Sequence, residues 1–419
     1  MTRWSFETRQ IHAGARPDPA TGARATPLYQ TTSFVFDNAD HAAAAFALQD
    51  LETHAYSRLS NPTTAVVEER LADLENGYAA VAVASGQAAS TLALLNLARA
   101  GDHVVSAVTL YGGTYNLFAY TFQDLGISVS FVDPDDLGQW RAAVRPNTKA
   151  FYAESIGNPL GNVLDVAAVA EVAHSAGVPL VVDNTVPTPY LSRPLDHGAD
   201  IVVHSTTKFL SGHGTGIGGV VVDSGRFDFS AWPQFSRPDP SYNGLEFASF
   251  GKLAYALRLR TKLVRDLGPA VSPFNSFLLL QGIETLSLRM ERHVANARAV
   301  ASWLSERVEH VHYAGLPGSP WYDTGKRYMP DGVGAVVAFE LPGREEGKRF
   351  VDSLELFSHL ANIGDVRSLV IHPASTTHAQ LTEQQQRASG VTPGLIRLSV
   401  GLEGPADLIA DLERGIDHG

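Results

Sequence analysis

Residues 200–208 are DIVVHSTTK, and residues 180–185 are LVVDNT. In each stretch an apolar run of strand length passes directly into polar side chains that can carry chemistry. Continuous apolar runs of this kind are typical of parallel strands that are buried on both faces of a sheet. Ligands of such sheets bind beyond the carboxyl ends of the strands, which is where Asp183 and Lys208 lie. These stretches therefore indicate both a fold class and the place of a functional site.

The same pattern extends to both sides of these two strands. Strands are predicted at 79–84, 103–108, 127–132, 149–154, 178–183, 200–204 and 217–222, and helices at 87–100, 114–125, 135–145 and 165–176. Their alternation predicts an α/β fold whose large domain contains a mostly parallel, seven-stranded sheet.

The regions outside this alternation predict two further parts. Residues 1–62 have weak periodicity and many turn signals, so we predict an arm that packs on the body or on a neighbouring subunit. A strong helical region at 251–309 precedes a mixture of helices with strands such as 334–341 and 395–400. We therefore predict a large domain at 63–270 and a smaller α+β domain at 271–419.

Composition excludes several classes of function. The chain of 419 residues has 32 basic and 44 acidic side chains, and this net charge of -12 argues against a nucleic-acid partner. The absence of cysteine excludes disulfides, thiolate zinc sites, iron–sulfur clusters and a cysteine nucleophile, and no compact set of metal ligands is evident. Because neither a signal peptide nor a run of about 18 apolar residues is present, we expect a cytoplasmic protein without a membrane partner.

A lysine and an acid at neighbouring strand ends suit pyridoxal phosphate (PLP). This cofactor needs an amine that forms a Schiff base and a carboxylate that keeps its ring nitrogen protonated. A lysine at the end of a buried strand can enter a desolvated pocket, where its pKa falls and its amine becomes nucleophilic. Taken singly, Lys208 could equally be a surface residue and Asp183 a turn cap. Together, the two residues support the hypothesis that the chain binds this cofactor.

Other strand ends carry residues that suit a phosphate. Ser85, Gly86 and Gln87 lie between a predicted strand and a predicted helix, whose N-terminus favours an anion. Ser205 and Thr207 could add hydroxyl donors. A glycine in a strand-to-helix turn is common, so only the convergence of these residues gives them weight.

Two residues are candidates for contacts with a ring and a carboxylate. Tyr111 follows a predicted strand, where it could stack on a planar ring and move a proton, or be an ordinary loop tyrosine. Arg397 lies within an apolar run, so its charge must be paired, either with a ligand carboxylate or with an acid of the chain.

Short motifs follow one another in order along nearly the whole chain. They are IHAG at 11–14, YSR at 56–58 with NPT at 61–63, ASG at 84–86, LYGGTY at 110–115, ESIGNP at 154–159, DNT at 183–185 and HSTTK at 204–208. In this order they resemble the Cys/Met-metabolism family of PLP enzymes, the cystathionine γ-synthase group. The resemblance implies the fold type I of PLP-dependent transferases.

The resemblance also implies roles for individual residues. Lys208 would be the Schiff-base lysine, Asp183 would bind the ring nitrogen and Tyr111 would stack on the ring, which makes these three the implied catalytic residues. The implied cofactor-binding residues are Tyr56, Arg58, Ser85, Gly86, Gln87, Tyr111, Asn158, Asp183, Thr185, Ser205, Thr207 and Lys208.

The resemblance also implies contacts with the substrate and with a neighbouring subunit. Asn158, Arg397 and the backbone of Ser368 would position the substrate carboxylate. Tyr56 and Arg58 would reach the phosphate in a neighbouring subunit, which implies a dimer, paired into a homotetramer. The partners expected are thus small-molecule substrates and further copies of the chain.

Within the family, the chain is most similar to the O-acetylhomoserine sulfhydrylases. The similarity lies in PATGAR at 19–24, PLYQTT at 27–32, GGTYNL at 112–117 and the long excursion at 225–248. It implies methionine biosynthesis: sulfide or methanethiol replaces the acetate of O-acetylhomoserine. Gly113 stands where methionine γ-lyases usually have cysteine, which counts against a γ-lyase. A γ-lyase, a cystathionine γ-synthase and, from another class, a nucleotide-binding oxidoreductase remain the alternatives.

Overall fold

The strands of the protein form two sheets. The computed structural model describes residues 4–377, 379, 382, 386 and 390–418. The larger sheet contains β1 (Ala79–Val83), β2 (His103–Ala107), β3 (Ser128–Val132), β4 (Thr148–Glu154), β5 (Leu180–Asp183), β6 (Ile201–Ser205) and β7 (Gly219–Asp223). The smaller sheet contains β8 (Val311–His312), β9 (Val336–Glu340), β10 (Ser358–His359), β11 (Leu369–Ile371) and β12 (Leu395–Ser399).

The α-helices alternate with these strands and surround them. The longer ones are Phe6–His12, Ala39–Phe46, Pro62–Leu74, Gly86–Leu95, Leu137–Ala142, Val166–Ser175, Pro273–Ile283, Leu286–Ser305, Tyr322–Tyr328, Arg344–Ser353 and Pro405–His418. The shorter ones are Gly112–Asn116, Phe122–Asp124, Thr188–Leu191, Pro233–Ser236, Ala254–Arg258 and Arg265–Leu267. None of the described helices is long and apolar enough to cross a lipid bilayer.

The larger sheet is mostly parallel, as the sequence predicted. Its strand order is β1-β7-β6-β5-β4-β2-β3, and β7 runs antiparallel to both of its neighbours. The register pairs Glu154 of β4 with Asp183 of β5, and Asp183 with Val203 of β6. The carboxyl ends of these three strands therefore meet at one edge of the sheet.

The smaller sheet has the order β10-β11-β12-β9-β8 and is largely antiparallel, which confirms a second α+β layer. The domain limits at 62 and 270 stay a prediction. The helix Pro273–Ile283, beyond the second limit, packs on the helix Pro62–Leu74, where the Thr64 and Ser276 hydroxyls lie 2.9 Å apart.

The helical region predicted at 251–309 is present, and it is divided into several helical segments. Gly268, with a φ of 88°, ends the segment that closes with Arg265–Leu267, because this left-handed conformation suits glycine and stops a helix. Ser272 then caps the helix Pro273–Ile283. Thr285 separates that helix from the next one, Leu286–Ser305.

The helix Leu286–Ser305 connects the two sheets. Its buried Arg289 donates to the carbonyl of Phe209, which lies just after β6, at 2.7 Å. One turn later, the buried His293 contacts the carbonyl of Val400, just after β12, through Nδ1 at 2.7 Å. Segments that follow a strand of each sheet are thus bound to the same helix.

The N-terminal arm divides into a packed part and an exposed part. Its first helix packs on the body through Arg9, whose Nε lies 2.6 Å from an Asp73 oxygen, and through Gln10, which donates to Ser287 at 2.8 Å. Farther along the arm, Val35 is 96% exposed and Phe46 is 62% exposed. Apolar side chains as exposed as these favour contact with another surface.

A buried carboxyl group lies at the amino ends of the parallel strands of the larger sheet, opposite the carboxyl ends where Asp183 lies. Asp223 ends the antiparallel strand β7 and pairs in register with Ile201. Its Oδ1 accepts the Gly225 N–H at 2.9 Å, whereas its buried Oδ2 has no hydrogen-bond partner among the described residues. Burial, with a smaller contribution from the charge of Asp200, raises the pKa of Asp223 from 3.8 to about 7.

We predict that Asp223→Asn changes the pH dependence of thermal stability. The pKa of this group is higher in the folded chain than in the unfolded chain, so the wild type loses stability as the pH rises from about 4 to about 7. The variant cannot ionise there and escapes this loss. Its Tm minus that of the wild type should therefore increase by several degrees between about pH 5 and about pH 8, measured by scanning fluorimetry.

The exposed Asp124→Asn is the matched control, and its Tm difference from the wild type should be the same at both pH values. If the difference for Asp223→Asn were equally constant, the buried carboxyl group would not be the source of the pH dependence.

Candidate active site

A cavity of about 420 Å³ lies at the carboxyl ends of β4, β5 and β6. The structure brings most of the residues predicted from the sequence to its wall: Ser85, Gly86, Gln87, Tyr111, Asn158, Asp183, Thr185, Ser205, Thr207, Lys208 and Arg397. They come from the larger sheet and, through Arg397 of β12, from the smaller sheet. The cavity therefore lies where the two sheets meet.

Lys208 follows β6 and extends its amine into the cavity. Its Nζ donates to Oδ1 of Asn362 at 2.5 Å. Burial, and next the positive charge of Arg397, lower the pKa of Lys208 from 10.5 to about 8, although the charge of Asp183 opposes this shift. A substantial part of the amine is therefore neutral just above neutral pH, as a nucleophile or a base requires.

Asp183 is held in place at the end of β5 by its neighbour in sequence. Its Oδ1 accepts from the Thr185 N–H at 3.0 Å and from the Thr185 hydroxyl at 2.5 Å, and that hydroxyl accepts the Ser205 N–H at 2.8 Å. Burial raises the pKa of Asp183, and the hydrogen bonds from Thr185 oppose the rise. The carboxyl group thus has a fixed orientation and gains from a cationic partner.

The N-terminus of the helix Gly86–Leu95 supplies donors for an anion. Ser85 caps this helix by accepting the Ala88 N–H at 3.1 Å, and the N–H groups of Gly86 and Gln87 have no acceptor within the helix. A Cβ on Gly86 would lie 2.4 Å from the Cβ of Ser205, so only glycine allows this close approach to β6.

Further polar groups of the cavity face the same region. The hydroxyl of Thr207 accepts the Gly218 N–H at 3.1 Å. The side chain of Gln87 is bound to the carbonyl of Gly113 at 2.8 Å, which leaves its backbone N–H as the group available for a ligand. Backbone N–H groups and hydroxyls together form the kind of site that binds phosphate.

Arg397 is buried at the other side of the cavity. Its Nη1 donates to Oδ1 of Asn158 at 3.1 Å and its Nη2 donates to the carbonyl of Asn362 at 3.2 Å. Its Nε has no hydrogen-bond partner among the described residues, and burial lowers its pKa to about 10. A buried guanidinium whose hydrogen-bond partners in the described part of the chain are neutral is suited to a ligand carboxylate.

Tyr111 lies at the mouth of the cavity and is 48% exposed. Its N–H donates to Oε1 of Glu154 at 2.6 Å. A Cβ on Gly113 would lie 2.5 Å from the ring of Tyr111, so glycine at this position leaves room for the ring. The backbone of Tyr111 is therefore fixed while its ring remains free to contact a ligand.

Three predicted residues are not part of this cavity. Tyr56 and Arg58 line a separate surface recess, where the Arg58 guanidinium lies 5.3 Å from the Tyr56 ring centre. Ser368 is fully buried elsewhere; its N–H donates to Glu403 at 2.6 Å and its carbonyl accepts from Ser358. The expectation that the Ser368 backbone positions a substrate carboxylate is therefore not met, because both of its backbone groups are already used.

Among the cavity residues that sequence reasoning missed, Asn362 and Glu154 contact predicted site residues. Asn362 lies between the lysine and the arginine, and no local pattern in the sequence distinguishes this residue from other loop asparagines. Glu154 belongs to the ESIGNP motif, and its position at the end of a buried strand was the signal that could have identified it.

The donor set fits PLP. Lys208 offers a partly neutral amine, Asp183 an oriented carboxyl group, and the turn at Gly86 a set of N–H groups beside the hydroxyls of Ser205 and Thr207. The unpartnered Nε of Arg397 adds a place for the carboxylate of an amino acid.

Comparison with known proteins gives the same assignment. The chain is 55% identical to the O-acetyl-L-homoserine sulfhydrylase of Leptospira meyeri over 427 residues, covering 98% of this chain and 96% of that protein. It is 53% identical to the enzyme of the same name from Corynebacterium glutamicum, covering 99% and 97%. It is 52% identical to a homocysteine synthase of Schizosaccharomyces pombe, covering 98% of each.

A solved structure and a family match agree with these relatives. A Campylobacter jejuni O-acetylhomoserine (thiol)-lyase with N′-pyridoxyl-lysine-5′-monophosphate is similar to the chain with a TM-score of 0.96 and 39% identity, covering 99% of this chain and all of that one. The fold is therefore the fold type I of PLP-dependent enzymes, as predicted. Residues 7–417 match the Cys/Met metabolism PLP-dependent enzyme family. The chain belongs to this family.

Proposed function

We propose that the chain is a PLP-dependent transferase that converts O-acetylhomoserine and sulfide to homocysteine and acetate. With methanethiol in place of sulfide, the products would be methionine and acetate. The observation that carries this proposal is that Asn362 contacts both Lys208 and Arg397. An amino acid whose carboxylate binds Arg397 would thereby bring its amine and Cα next to the lysine. The relatives named as sulfhydrylases and as a homocysteine synthase support this substrate and product.

The residues of the cavity have distinct roles toward the cofactor in this proposal. Lys208 would bind its aldehyde carbon, Asp183 would bind its ring nitrogen and Tyr111 would stack on its ring. Asn158 would bind it near the ring oxygen. The phosphate would be bound by the N–H groups and hydroxyls of the strand ends and the helix N-terminus: Ser85, Gly86, Gln87, Ser205 and Thr207. Thr185 would act on the cofactor by holding the Asp183 carboxyl group.

Lys208 carries the protons of the reaction. When bound, the cofactor supplies withdrawal of electrons from the substrate Cα. The amine of Lys208, with a pKa of about 8, takes the proton from Cα at Nζ and returns it at the end. In between, Lys208 also removes a proton from Cβ, and the electron pair of that C–H bond forms a Cβ–Cγ double bond as the Cγ–O bond breaks and its electron pair leaves on acetate. Sulfide, as HS⁻, then forms the Cγ–S bond, and Cβ regains its proton. Arg397 and Asn158 hold the substrate carboxylate throughout.

The charges of the cavity favour an uncharged acyl group. The cationic residues among the described lining residues are Lys208 and Arg397. Because Lys208 performs chemistry and Arg397 binds the carboxylate at Cα, neither is left for the second carboxylate of a succinyl ester. A buried unpaired carboxylate is strongly unfavourable, so an acetyl ester fits better.

The arm supports a site shared between subunits. Tyr56 and Arg58 lie outside the cavity of their own chain, and Tyr56 is 43% exposed. We propose that they bind the phosphate in the site of a neighbouring subunit, within a dimer that pairs into a homotetramer. The exposed apolar side chains Val35 and Phe46 of the same arm are suited to that contact.

We predict that the wild-type holoenzyme forms homocysteine from O-acetylhomoserine only when sulfide is present, with little 2-oxobutyrate, as measured by separation of the products. O-succinylhomoserine should react at least about tenfold more slowly, because it would leave an unpaired charge. Lys208→Ala should abolish turnover and leave the circular dichroism spectrum unchanged. Formation of 2-oxobutyrate regardless of sulfide would instead identify a γ-lyase, and efficient use of cysteine a cystathionine γ-synthase.

We predict that Arg397→Lys raises the KM for O-acetylhomoserine roughly 10- to 100-fold, because hydrogen bonds to charged groups contribute about 1.5–3 kcal/mol. Steady-state kinetics should show a smaller change in kcat, since Lys208 is retained. The exposed Arg307→Lys, whose side chain lies over Trp303, is the control and should leave both constants unchanged. An unchanged KM for Arg397→Lys would remove this residue from carboxylate binding.

We predict that Arg58→Ala and Lys208→Ala complement each other. At limiting cofactor each variant alone should have little activity, but mixed and re-equilibrated subunits should regain part of it. The reason is that a site combining Lys208 of one chain with Arg58 of the other is intact. Failure to regain activity, with subunit exchange verified by mass spectrometry, would contradict a shared site.

A further inference from the structure

A second carboxyl group lies beside Asp183 at the same edge of the sheet. Glu154 ends β4 and pairs in register with Asp183 at the end of β5, and both line the cavity. Residues paired in this way on parallel strands project their side chains to the same face. The roles proposed above make no use of Glu154.

The contacts of Glu154 differ from those of Asp183. Oε1 of Glu154 accepts one hydrogen bond, from the Tyr111 N–H at 2.6 Å, and no described cation lies within ion-pair distance of it. Asp183 accepts two hydrogen bonds from Thr185 and is further stabilised as an anion by His204 of β6. Of the two carboxyl groups, Asp183 is therefore the better site for a negative charge.

Both carboxyl groups cannot be ionised here without a large penalty, because they are buried side by side. Burial, and then the charge of Asp183, raise the pKa of Glu154 well above its usual value. Besides His204, the described titratable groups that act within this pair's surroundings include Tyr152 of β4 and Lys208. The charge of Asp183 opposes the lowering of the Lys208 pKa.

We propose that Glu154 is a positioning residue that works as a neutral carboxylic acid, fixing the backbone of Tyr111 while leaving the negative charge of this edge to Asp183. This inference rests on the proposed function, in which Tyr111 and Asp183 contact the cofactor. Tyr111 is then held without placing a second anion beside the ring nitrogen.

Two substitutions separate the two parts of this role. Glu154→Gln keeps the length of the side chain and an oxygen that accepts the Tyr111 N–H, but it cannot ionise. Glu154→Ala removes the acceptor and leaves that N–H without its partner. Glu340→Gln, which replaces a glutamate at the end of β9 outside the cavity, is the control for the substitution itself.

The experiment titrates each apoprotein with PLP and follows the visible absorbance of the lysine-bound cofactor against pH. For Glu154→Gln we expect a Kd and an absorbance midpoint equal to those of the wild type. For Glu154→Ala we expect a Kd raised roughly 5- to 100-fold, the range for a buried N–H left without its partner. The infrared difference between wild type and Glu154→Gln should contain the C=O stretch of a protonated carboxyl group.

Three outcomes would overturn the inference. If Glu154 were ionised in the holoenzyme, Glu154→Gln would lower the absorbance midpoint by about one pH unit, because a negative charge beside the cofactor would be lost. A difference spectrum with a carboxylate band would lead to the same conclusion. If Glu154→Ala bound PLP as tightly as the wild type, Glu154 would not position Tyr111. A wild-type protein that formed no absorbing adduct would overturn the proposed function itself.

Discussion

The register between β4, β5 and β6 is the constraint on which the rest of the site depends. It aligns the ends of three buried parallel strands, so that Glu154, Asp183 and Ser205 leave the sheet at one edge. The helix Gly86–Leu95 approaches this edge so closely that glycine is required at its start. The space left above the edge becomes a cavity with an acid on its floor, anion donors on one side and the amine of Lys208 within it.

The larger sheet and its strand ends were predictable from sequence because their apolar runs and polar termini are local. Every strand predicted between residues 79 and 222 is present with shifts of one or two residues at its ends. Asp183 and Lys208 follow such runs directly, so their meeting place follows from the rule that parallel strands share one carboxyl edge. The resemblance to a family contributed what spacing alone left open, namely the choice of cofactor and the role of Tyr111.

The remaining features depend on contacts between distant parts of the chain, which no local pattern encodes. Asn362 enters the site only because the smaller sheet closes over the larger one. Ser368 was misplaced because its environment is set by Glu403, 35 positions away in the sequence. The long helical region was divided by Gly268, whose left-handed conformation is a backbone property that hydrophobic periodicity does not reveal. The proposed role of Tyr56 and Arg58 lies in the site of a neighbouring subunit, so no local pattern within one chain predicts it.

The helix Leu286–Ser305 makes the two halves of the site a single cooperative unit. Arg289 holds the segment after Lys208, and His293 holds the segment after Arg397. Displacement of this helix would leave both buried side chains without these partners, so the helix couples the two segments. Its displacement would disturb the surroundings of the amine and of the guanidinium together, and a chain that bound cofactor through the lysine would then hold its substrate poorly.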